Sequence, residues 1–159
     1  MLIRPATAAD AEALADLHLD VWDEAYAGLM PAAILLTRRA DRAGRVTRWR
    51  ENLAARTTWV ADDPATPGRL LGFSTGGDRR DDDPSLPARE LWALYVRAEA
   101  YGTGLGRELL VAAVADEPAY LWVLAGNARA LRFYEKHGFA LDGHTKTEQF
   151  GREQRMVRR

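Results

Sequence analysis

The chain has 159 residues, no cysteine and a formal net charge of −1 at pH 7. This length fits one domain, residues 1–159, and the lack of cysteine excludes disulfides, thiolate metal sites and a cysteine nucleophile. The near-neutral charge argues against nucleic acid as a partner, and the absence of a long apolar run or a signal-peptide pattern predicts a cytoplasmic protein with no membrane contact.

The first half of the chain predicts one strand, two helical regions and a β-hairpin. "LIRPA" is typical of a short strand, and Thr7 is a candidate N-cap for the helix that follows. Residues spaced three or four apart predict the buried face of that helix, namely Leu14, Leu17, His18, Val21 and Ala25. "LMPAAILL" and "RVTRWRENLA" indicate a second, broken helical region. "TTWVADD" and "RLLGFSTGG" predict two strands joined by the turn "DPATPG".

The second half alternates strands with helices. After the polar loop "GGDRRDDDPSLPA", "RELWALYV" and "AYLWVLA" predict buried strands that are separated by a helix in "GLGRELLVAAVADE". A further helix from Asn127 to His137 is expected to end at Gly138 as its C′ residue. "FALDGHTKTEQF" and "REQRMVRR" predict a final strand pair, with the arginine-rich tail as an edge strand. This order predicts a mixed α/β fold with a largely antiparallel front and a βαβ unit behind it.

Three glycines, Gly102, Gly104 and Gly106, lie between a predicted strand and a predicted helix. A helix N-terminus presents unpaired N–H groups and a partial positive charge, and glycine lets an anion approach the backbone without a Cβ in the way. The stretch lacks the register of the dinucleotide G-x-G-x-x-G motif and the G-K-[ST] of a mononucleotide loop. We therefore predict a diphosphate-binding loop of another type, with a turn that only starts a tightly packed helix as the alternative.

Two stretches, "LYVRAEAYGTGLGRELL" and "LWVLAGNARALRFYEKHGF", resemble the signature motifs of the GNAT superfamily of acyl-CoA-dependent N-acyltransferases. The likeness spans nearly the whole chain. In the first motif Gly104 and Gly106 match glycines that wrap the pyrophosphate of coenzyme A, while Tyr101 and Ala98 replace the usual Gln or Arg and a common Pro. The second motif matches at Asn127, Ala130, Phe133, Tyr134, Gly138 and Phe139.

The resemblance implies a GNAT-like fold, in which a central, mostly antiparallel sheet of six to seven strands contains a splayed parallel pair and has four flanking helices. It implies acetyl-CoA as the cofactor, with the pantetheine arm paired to the backbone of Leu94 and Val96. The positions that it assigns to the cofactor are Leu94, Tyr95, Val96, Tyr101, Gly102, Thr103, Gly104, Leu105, Gly106, Asn127, Ala130, Phe133 and Tyr134.

Acyl transfer to an amine needs a proton acceptor, because an alkylammonium with a pKa of about 10.4 must lose a proton before it attacks. Glu90 heads the strand that leads to the glycine loop, so its carboxylate is a candidate to reach the amine directly or through water. A solvated charge at the strand end is the alternative. The resemblance favours Glu90 as the base, and it implies Tyr134 as the acid that protonates the departing thiolate.

A competing pattern is "GFSTG", from Gly72 to Gly76, which matches the G-x-S-x-G nucleophile elbow of hydrolases. Asp116 and His144 follow in the order that such a triad requires. An elbow needs a helix directly after the serine, whereas the polar loop "DRRDDDPSLP" follows here. We interpret "GFSTGG" as a strand whose glycines lie at a bend beside the cleft. The aspartates 81–83 in that loop predict a solvated surface or the steering of a cationic acceptor.

Three aromatic residues, Trp22, Tyr26 and Trp92, are candidates for the wall of the acceptor pocket, with a place in the core as the alternative. His18 is expected to be a packed core histidine, with a substrate contact as the alternative. His137 is not part of a carboxylate cluster with ligand spacing, nor is the third histidine, so no metal site is predicted.

The predicted function is the transfer of an acetyl group from acetyl-CoA to a primary amine in a ternary complex. The acceptor, a small-molecule or peptide amine, is not identified by the sequence, because fold and cofactor site do not specify the second substrate. Monomer and homodimer both stay open. The alternative from a different class is a non-catalytic acyl-CoA-binding or sensor module, which would keep the loop but lack a working acid or base.

Overall fold

The computed structural model describes residues 2–159. Its N-terminal third contains one strand and three helices: β1 Ile3–Pro5, α1 Ala11–Tyr26, α2 Ala32–Ala40 and α3 Arg42–Ala55. The remaining elements are β2 Thr58–Asp62, β3 Leu70–Asp78, β4 Arg89–Val96, α4 Leu105–Val114, β5 Ala119–Leu124, α5 Ala128–Lys136, β6 Ala140–Glu148 and β7 Gly151–Arg158. No helix in the described part of the chain is long and apolar enough to cross a membrane.

The strands form one seven-stranded sheet in the order β1-β2-β3-β4-β5-β7-β6. Only β4 and β5 run parallel, and every other neighbouring pair is antiparallel. The connection between the parallel pair contains α4, as expected because parallel neighbours need a crossover. The predicted mixed α/β fold with a mostly antiparallel sheet and one parallel pair is confirmed.

The parallel pair is joined over a short distance only. Glu90 pairs with Tyr120 and Leu91 with Leu121, and no further pairing links the two strands. On the other side of β4, a β-bulge leaves Trp92 without a pairing partner on β3. Gly77 lies at this bulge, where a Cβ would overlap the indole of Trp92. The bulge and the divergence of β4 from β5 together open a wedge in the middle of the sheet.

Apolar residues fill both faces of the sheet. Leu14, Leu17 and Val21 of α1 pack with Val60 and Phe73 on one face, where α3 also lies. The opposite face carries α4 and α5, whose buried side chains pack in two further clusters that contain Leu105, Leu109, Leu110, Leu121, Tyr134 and Met156. Each fully buried large apolar side chain contributes about 1.5–3 kcal/mol, so these two layers hold the sheet.

Three local details differ from the sequence prediction. The broken helical region is two helices, α2 and α3, so five helices flank the sheet instead of four. Thr7 caps a short 3-10 turn that precedes α1, and in the capping box of that turn the Asp10 carboxylate accepts hydrogen bonds from the Thr7 backbone and hydroxyl. The N-cap residue of α1 itself is Asp10. The arginine-rich tail forms β7, which lies between β5 and β6 and is not an edge strand. Arg155 of β7 is only 4% exposed because Asp83 and Asp142 pair with it.

Candidate active site

A cleft of about 540 Å³ lies where β4 and β5 diverge. Its walls come from the C-terminal part of α1, the loop before α4, one side of α5 and the hairpin between β6 and β7. The backbone of β4 from Trp92 to Val96 faces this space without pairing to β5. The cleft therefore combines a free strand edge with a helix N-terminus.

The glycine loop enters α4 with its backbone groups exposed to the cleft. Gly102 and Gly104 have positive φ angles of 77° and 92°, which other residues adopt only with strain. The backbone N–H groups of Gly102, Gly104 and Gly106 donate to no acceptor within residues 2–159. Three unpartnered donors at a helix N-terminus form a site for an anion.

Most of the residues that the resemblance assigned to the cofactor line this cleft. These are Leu94, Tyr95, Val96, Tyr101, Gly102, Gly104, Gly106, Asn127, Ala130, Phe133 and Tyr134. Two of the assigned residues do not line it. Leu105 is fully buried in the core beneath the loop. The Thr103 hydroxyl donates to the carbonyl of Ala100 at 2.8 Å, so its side chain stabilises the loop from within.

Asn127 marks the start of α5. Its side-chain oxygen accepts a hydrogen bond from the Ala130 N–H at 3.2 Å, which is the N-cap interaction. At the other end of the helix, Gly138 has a φ of 84° and follows the C-cap residue, as the sequence predicted. These two ends fix the length of α5 and therefore the position of Tyr134, which lies on the same face as Asn127.

Tyr134 is buried, with 8% of its surface exposed, yet its hydroxyl has no hydrogen-bond partner within residues 2–159. Burial raises the pKa of the Tyr134 phenol well above its usual value, and the nearby Tyr95 adds to the effect. The hydroxyl therefore stays protonated at neutral pH. It is a free proton donor that lines the cleft.

Cationic side chains also line the end of the cleft next to the glycine loop, and the sequence interpretation did not include them. The guanidinium of Arg129 lies 3.9 Å from the ring centroid of Tyr101, the residue that departs from the family pattern. Arg107 and Lys136 line the same space. No motif in the sequence singles out these three residues, because they meet only when α4 and α5 pack side by side.

The end of the cleft away from the glycine loop is aromatic and acidic. Trp22, Tyr26 and Trp92, the three predicted wall residues, all line it. The β6–β7 hairpin contributes two carboxylates, Glu148 and Glu153, which the sequence interpretation missed. The sequence does not distinguish these two carboxylates from solvated surface charges in a hairpin. Their role as cleft residues depends on where the β6–β7 hairpin lies relative to β4 and α1.

Two tyrosine hydroxyls meet between the ends of the cleft. The hydroxyls of Tyr26 and Tyr95 lie 3.1 Å apart. Burial raises the pKa of Tyr26 far above its usual value, and Tyr95 and the charge of Glu153 raise it further. Burial likewise raises the pKa of Tyr95. Both phenols are therefore neutral at pH 7, and Glu153 lies close enough to affect them.

Glu90 is the expected base, and a solvated charge at the strand end is the alternative. The residue is 2% exposed, so that alternative is wrong. Its carboxylate accepts hydrogen bonds from Arg80 at 2.6 and 3.0 Å and from the Tyr120 hydroxyl at 2.9 Å. Glu90 is not among the residues that line the cleft. Tyr134 and the glycine loop therefore line the same cleft, whereas Glu90 does not line it.

The competing hydrolase pattern has no catalytic geometry. Ser74 is fully buried in β3, and its hydroxyl donates to the carbonyl of Leu109 at 2.7 Å, which ties β3 to α4. Asp116 and His144 are both exposed side chains at the surface. A nucleophile elbow requires an exposed serine hydroxyl at a strand–helix turn, whereas Ser74 is buried within a strand.

Two other groups singled out from the sequence also have structural partners. Asp81 accepts a hydrogen bond from the Trp122 indole at 2.9 Å, and Asp83 pairs with Arg155 at 3.1 Å, so only Asp82 of the aspartate run is a solvated residue. His18 packs among aromatic rings. Burial lowers its pKa to about 3, so the ring is neutral at pH 7.

Comparisons with known proteins agree with this geometry. The family model described as the acetyltransferase (GNAT) domain matches residues 54–141. A probable N-acetyltransferase of Mycobacterium tuberculosis is 29% identical over 156 residues, which cover 91% of this chain and 83% of that protein.

Solved structures show the same fold. The PaiA N-acetyltransferase of Thermoplasma acidophilum, solved in complex with coenzyme A, has a TM-score of 0.72 at 20% identity and covers 99% of this chain and 98% of its own. A ribosomal-protein-alanine N-acetyltransferase of Brucella melitensis has a TM-score of 0.62 at 23% identity and covers 99% of both chains. The family match spans more than half of the chain and contains the loop, the splayed strands and α5. The chain therefore belongs to the GNAT acetyltransferases, a family of transferase enzymes.

Proposed function

We propose that the chain, as one domain over residues 1–159, transfers an acetyl group from acetyl-CoA to a primary amine while both substrates are bound in the cleft. The observation that carries this proposal is the set of three unpartnered N–H groups at Gly102, Gly104 and Gly106, at the open end of the splayed strands. Unpartnered donors at a helix N-terminus favour a diphosphate, and the adjacent strand edge favours an extended arm.

Acetyl-CoA, when bound, supplies an acyl group activated as a thioester. The loop N–H groups would hold its diphosphate, and Arg129 and Arg107 would add positive charge beside it. This charge would stand in for the Gln or Arg that the family usually has where this chain has Tyr101. The exposed backbone of Leu94 and Val96 would pair with the pantetheine arm. The cleft's volume of about 540 Å³ falls within the range of about 300–1,000 Å³ that is typical of ligand sites.

Tyr134 is our candidate for the general acid. Its unpartnered hydroxyl lines the cleft and stays protonated because burial raises its pKa. In this role the Tyr134 hydroxyl donates its proton to the departing sulfur. A backbone N–H of the stretch from Leu94 to Val96, on the edge of β4 that does not pair with β5, is our candidate to stabilise the charge that develops on the carbonyl oxygen.

The amine proton needs an acceptor, for which we propose Glu90 acting through water, since its carboxylate does not line the cleft. Glu153 is the second candidate, because it lines the cleft and its charge affects Tyr26. The aromatic and acidic acceptor end fits a small-molecule or peptide amine, which is cationic before it reacts.

Thermal unfolding with and without coenzyme A tests the cofactor site. We expect coenzyme A to raise the unfolding midpoint, since saturation at about 100 times the Kd stabilises by about 2.7 kcal/mol. Gly104→Val should remove this shift. Gly68→Val is the matched control: Gly68 also has a positive φ, of 80°, and open space around its Cβ position, but it lies in the β2–β3 turn. Loss of the shift in both variants, or in neither, contradicts the loop assignment.

The pH dependence of acetyl transfer identifies the base. With an amine panel and thiol release as the readout, kcat/KM should rise with pH along a limb that Glu90→Gln removes or displaces. The acceptor amine should have a pKa well above the tested pH range, so that the limb reports ionisation of the enzyme and not of the amine. If Glu153→Gln removes the limb and Glu90→Gln does not, Glu153 is the base. Binding of acetyl-CoA without turnover of any amine would favour the non-catalytic module instead.

A further inference from the structure

A second cavity, of about 280 Å³, lies on the face of the sheet that α1 and α3 cover. It is bounded by α3 on one side and by β2, β3 and β4 on the other. The rings of Trp49, Phe73 and Trp92 line it. Trp92 and Ala93 also line the transfer cleft, so the two spaces are neighbours, but no other lining residue is shared.

Four arginines line this second cavity, and only two of them are neutralised. Arg48 pairs with Asp41 at 2.7 Å and Arg80 with Glu90 at 2.6 Å. Arg45 and Arg56 have no carboxylate within 4.0 Å in residues 2–159. The cavity therefore carries positive charge that the protein itself does not compensate.

Burial makes this charge costly. Arg45 is half-buried, and its one side-chain hydrogen bond is a long one, 3.4 Å from its Nε to the carbonyl of Arg38. Burial lowers the pKa of Arg45, and the neighbouring charge of Arg48 lowers it further. A guanidinium without a counter-charge in such a place is stabilised when an anion binds next to it.

Polar groups without partners point to the same conclusion. The Thr58 hydroxyl is fully buried, in a residue that is 1% exposed, and it has no hydrogen-bond partner. The indole N–H of Trp92 is also buried without a partner. Both residues line the cavity, and Asn52 adds an amide side chain that makes no hydrogen bond within residues 2–159. Unpartnered buried polar groups are rare in folded proteins and are often satisfied by a ligand.

We propose that this cavity is a binding site for a small organic anion, with a carboxylate or phosphate against Arg45 and Arg56 and a planar apolar body against Trp49, Phe73 and Trp92. The site goes beyond acetyl transfer, because neither arginine lines the transfer cleft. One guanidinium group can donate two hydrogen bonds to two oxygens of a carboxylate or phosphate. The three aromatic side chains can pack against a ligand that carries one substituted ring.

The surrounding charges favour a small ligand over nucleic acid. Two exposed arginines of α2 and α3 outside the cavity pair with carboxylates of α1, Arg39 with Asp20 and Arg42 with Asp16. Arg38 of α2 has no carboxylate partner among the described residues, but its guanidinium is stacked on the ring of Trp22. The outer surface of this helical layer is therefore mixed in charge and is not an extended positive surface. A nucleic-acid backbone needs an extended positive surface.

Binding of phenyl phosphate, benzoate and inorganic phosphate to the whole chain tests the proposal, with tryptophan fluorescence and calorimetry as readouts. We expect saturable binding of phenyl phosphate that changes the emission of the cavity tryptophans and weakens with added salt. Arg45→Gln and Arg56→Gln should each weaken it by roughly tenfold or more, as for the loss of a charge-assisted hydrogen bond. Arg50→Gln is the matched control, since Arg50 is an exposed arginine of α3 that pairs with Glu12 and does not line the cavity.

Four results would overturn the site. They are no saturable binding by any probe at millimolar concentration, equal weakening by Arg50→Gln, displacement of the probe by coenzyme A, and binding of heparin without binding of the small probes. Arg56 is exposed, so Arg56→Gln and Arg56→Lys keep the test valid if Arg45→Gln fails to fold. The coenzyme A shift, measured on the same variants, should be unchanged, so this proposal and the transferase proposal can fail separately.

Discussion

Polar groups at the two ends of the β4–β5 pair differ in whether they have hydrogen-bond partners. At the paired end, the Glu90 carboxylate accepts hydrogen bonds from Arg80 and the Tyr120 hydroxyl, and that hydroxyl in turn accepts from the backbone N–H of Arg80 and Asp81. At the splayed end, the Tyr134 hydroxyl and the N–H groups of the glycine loop have no partner in the described chain.

This difference separates a cluster of paired polar groups from the open cleft that we propose as the ligand site. Donors that face a cleft without a partner in the chain are free to bind a substrate or cofactor, whereas the groups around Glu90 already bond to one another. The satisfied cluster at Glu90 holds the two strands together over their short paired region. The wedge beyond it can then remain open without unravelling the sheet.

The largest expected effect comes from replacing Tyr134, at the splayed end, with phenylalanine. Tyr134→Phe should lower kcat by about 10²–10⁴-fold, as for the loss of a general acid, and should change the free energy of unfolding little because its hydroxyl has no partner. Tyr120→Phe is the matched control for stability, and it should lower the free energy of unfolding by about 1–2 kcal/mol because it removes a buried hydrogen bond to Glu90. Steady-state kinetics and denaturant unfolding measure both. Unchanged turnover in Tyr134→Phe, with chemistry rate-limiting, would make Tyr134 a packing residue.

The second effect concerns the stability of the paired end. Glu90→Ala should lower the free energy of unfolding by about 2–3 kcal/mol, because it leaves the buried Tyr120 hydroxyl without its acceptor and removes the ion pair with Arg80. Asp78→Ala removes a carboxylate that is 99% exposed in the neighbouring strand and should cost no more than about 0.5 kcal/mol. Similar values for the two variants in urea unfolding would show that the Glu90 cluster does not hold the pair.

The third effect is the pH dependence that His18 produces as a buried titratable group. Its folded-state pKa is lowered to about 3 from an ordinary 6.5, so below pH 6.5 the unfolded chain takes up a proton that the folded chain does not. Stability should therefore fall as pH drops from 6.5 towards 3, by about 1–2 kcal/mol at pH 5.

His18→Phe should remove that loss between pH 7 and pH 5, whereas His144→Gln, at an exposed position, should retain it. Urea unfolding at each pH gives the comparison. Asp10 does not interfere, because the hydrogen bonds from Arg4 lower its pKa to about 2 from 3.8, and its contribution is lost only below about pH 4. An identical pH slope in wild type and His18→Phe would rule out the histidine as the source.

The smallest effect tests how α5 positions the free hydroxyl. Asn127→Ala removes the N-cap of α5 and should lower the free energy of unfolding by about 1 kcal/mol. Asn127→Asp keeps an acceptor at the same place and should retain most of that stability. Because the cap fixes the start of the helix that carries Tyr134, kcat should fall in the alanine variant and recover in the aspartate variant. Equal kcat in both would mean that the cap does not control the position of Tyr134.

The sequence determined the order of the elements. The helix predicted in "GLGRELLVAAVADE" is α4, and its residues Leu105, Leu109 and Ala113, spaced four apart, are buried. The glycine loop and Tyr134 of the two motifs line the same cleft, because each lies at a helix terminus or on a helix face, where local rules fix the geometry.

Only the tertiary structure decided which charges are free and which are paired. The sequence favours Glu90 as a base and predicts Asp81 as a solvated or steering charge. In the structure Glu90 accepts a hydrogen bond from Tyr120 and Asp81 accepts one from Trp122, both on β5. Arg155, expected in an edge strand, pairs with Asp83 of the distant polar loop. Glu153 and Arg129 reach the cleft, and Arg45 and Arg56 reach the second cavity, only through the packing of hairpin and helices on the sheet. Helix and strand periodicity reports local burial, whereas pairing of charges depends on contacts between distant segments, which no local pattern encodes.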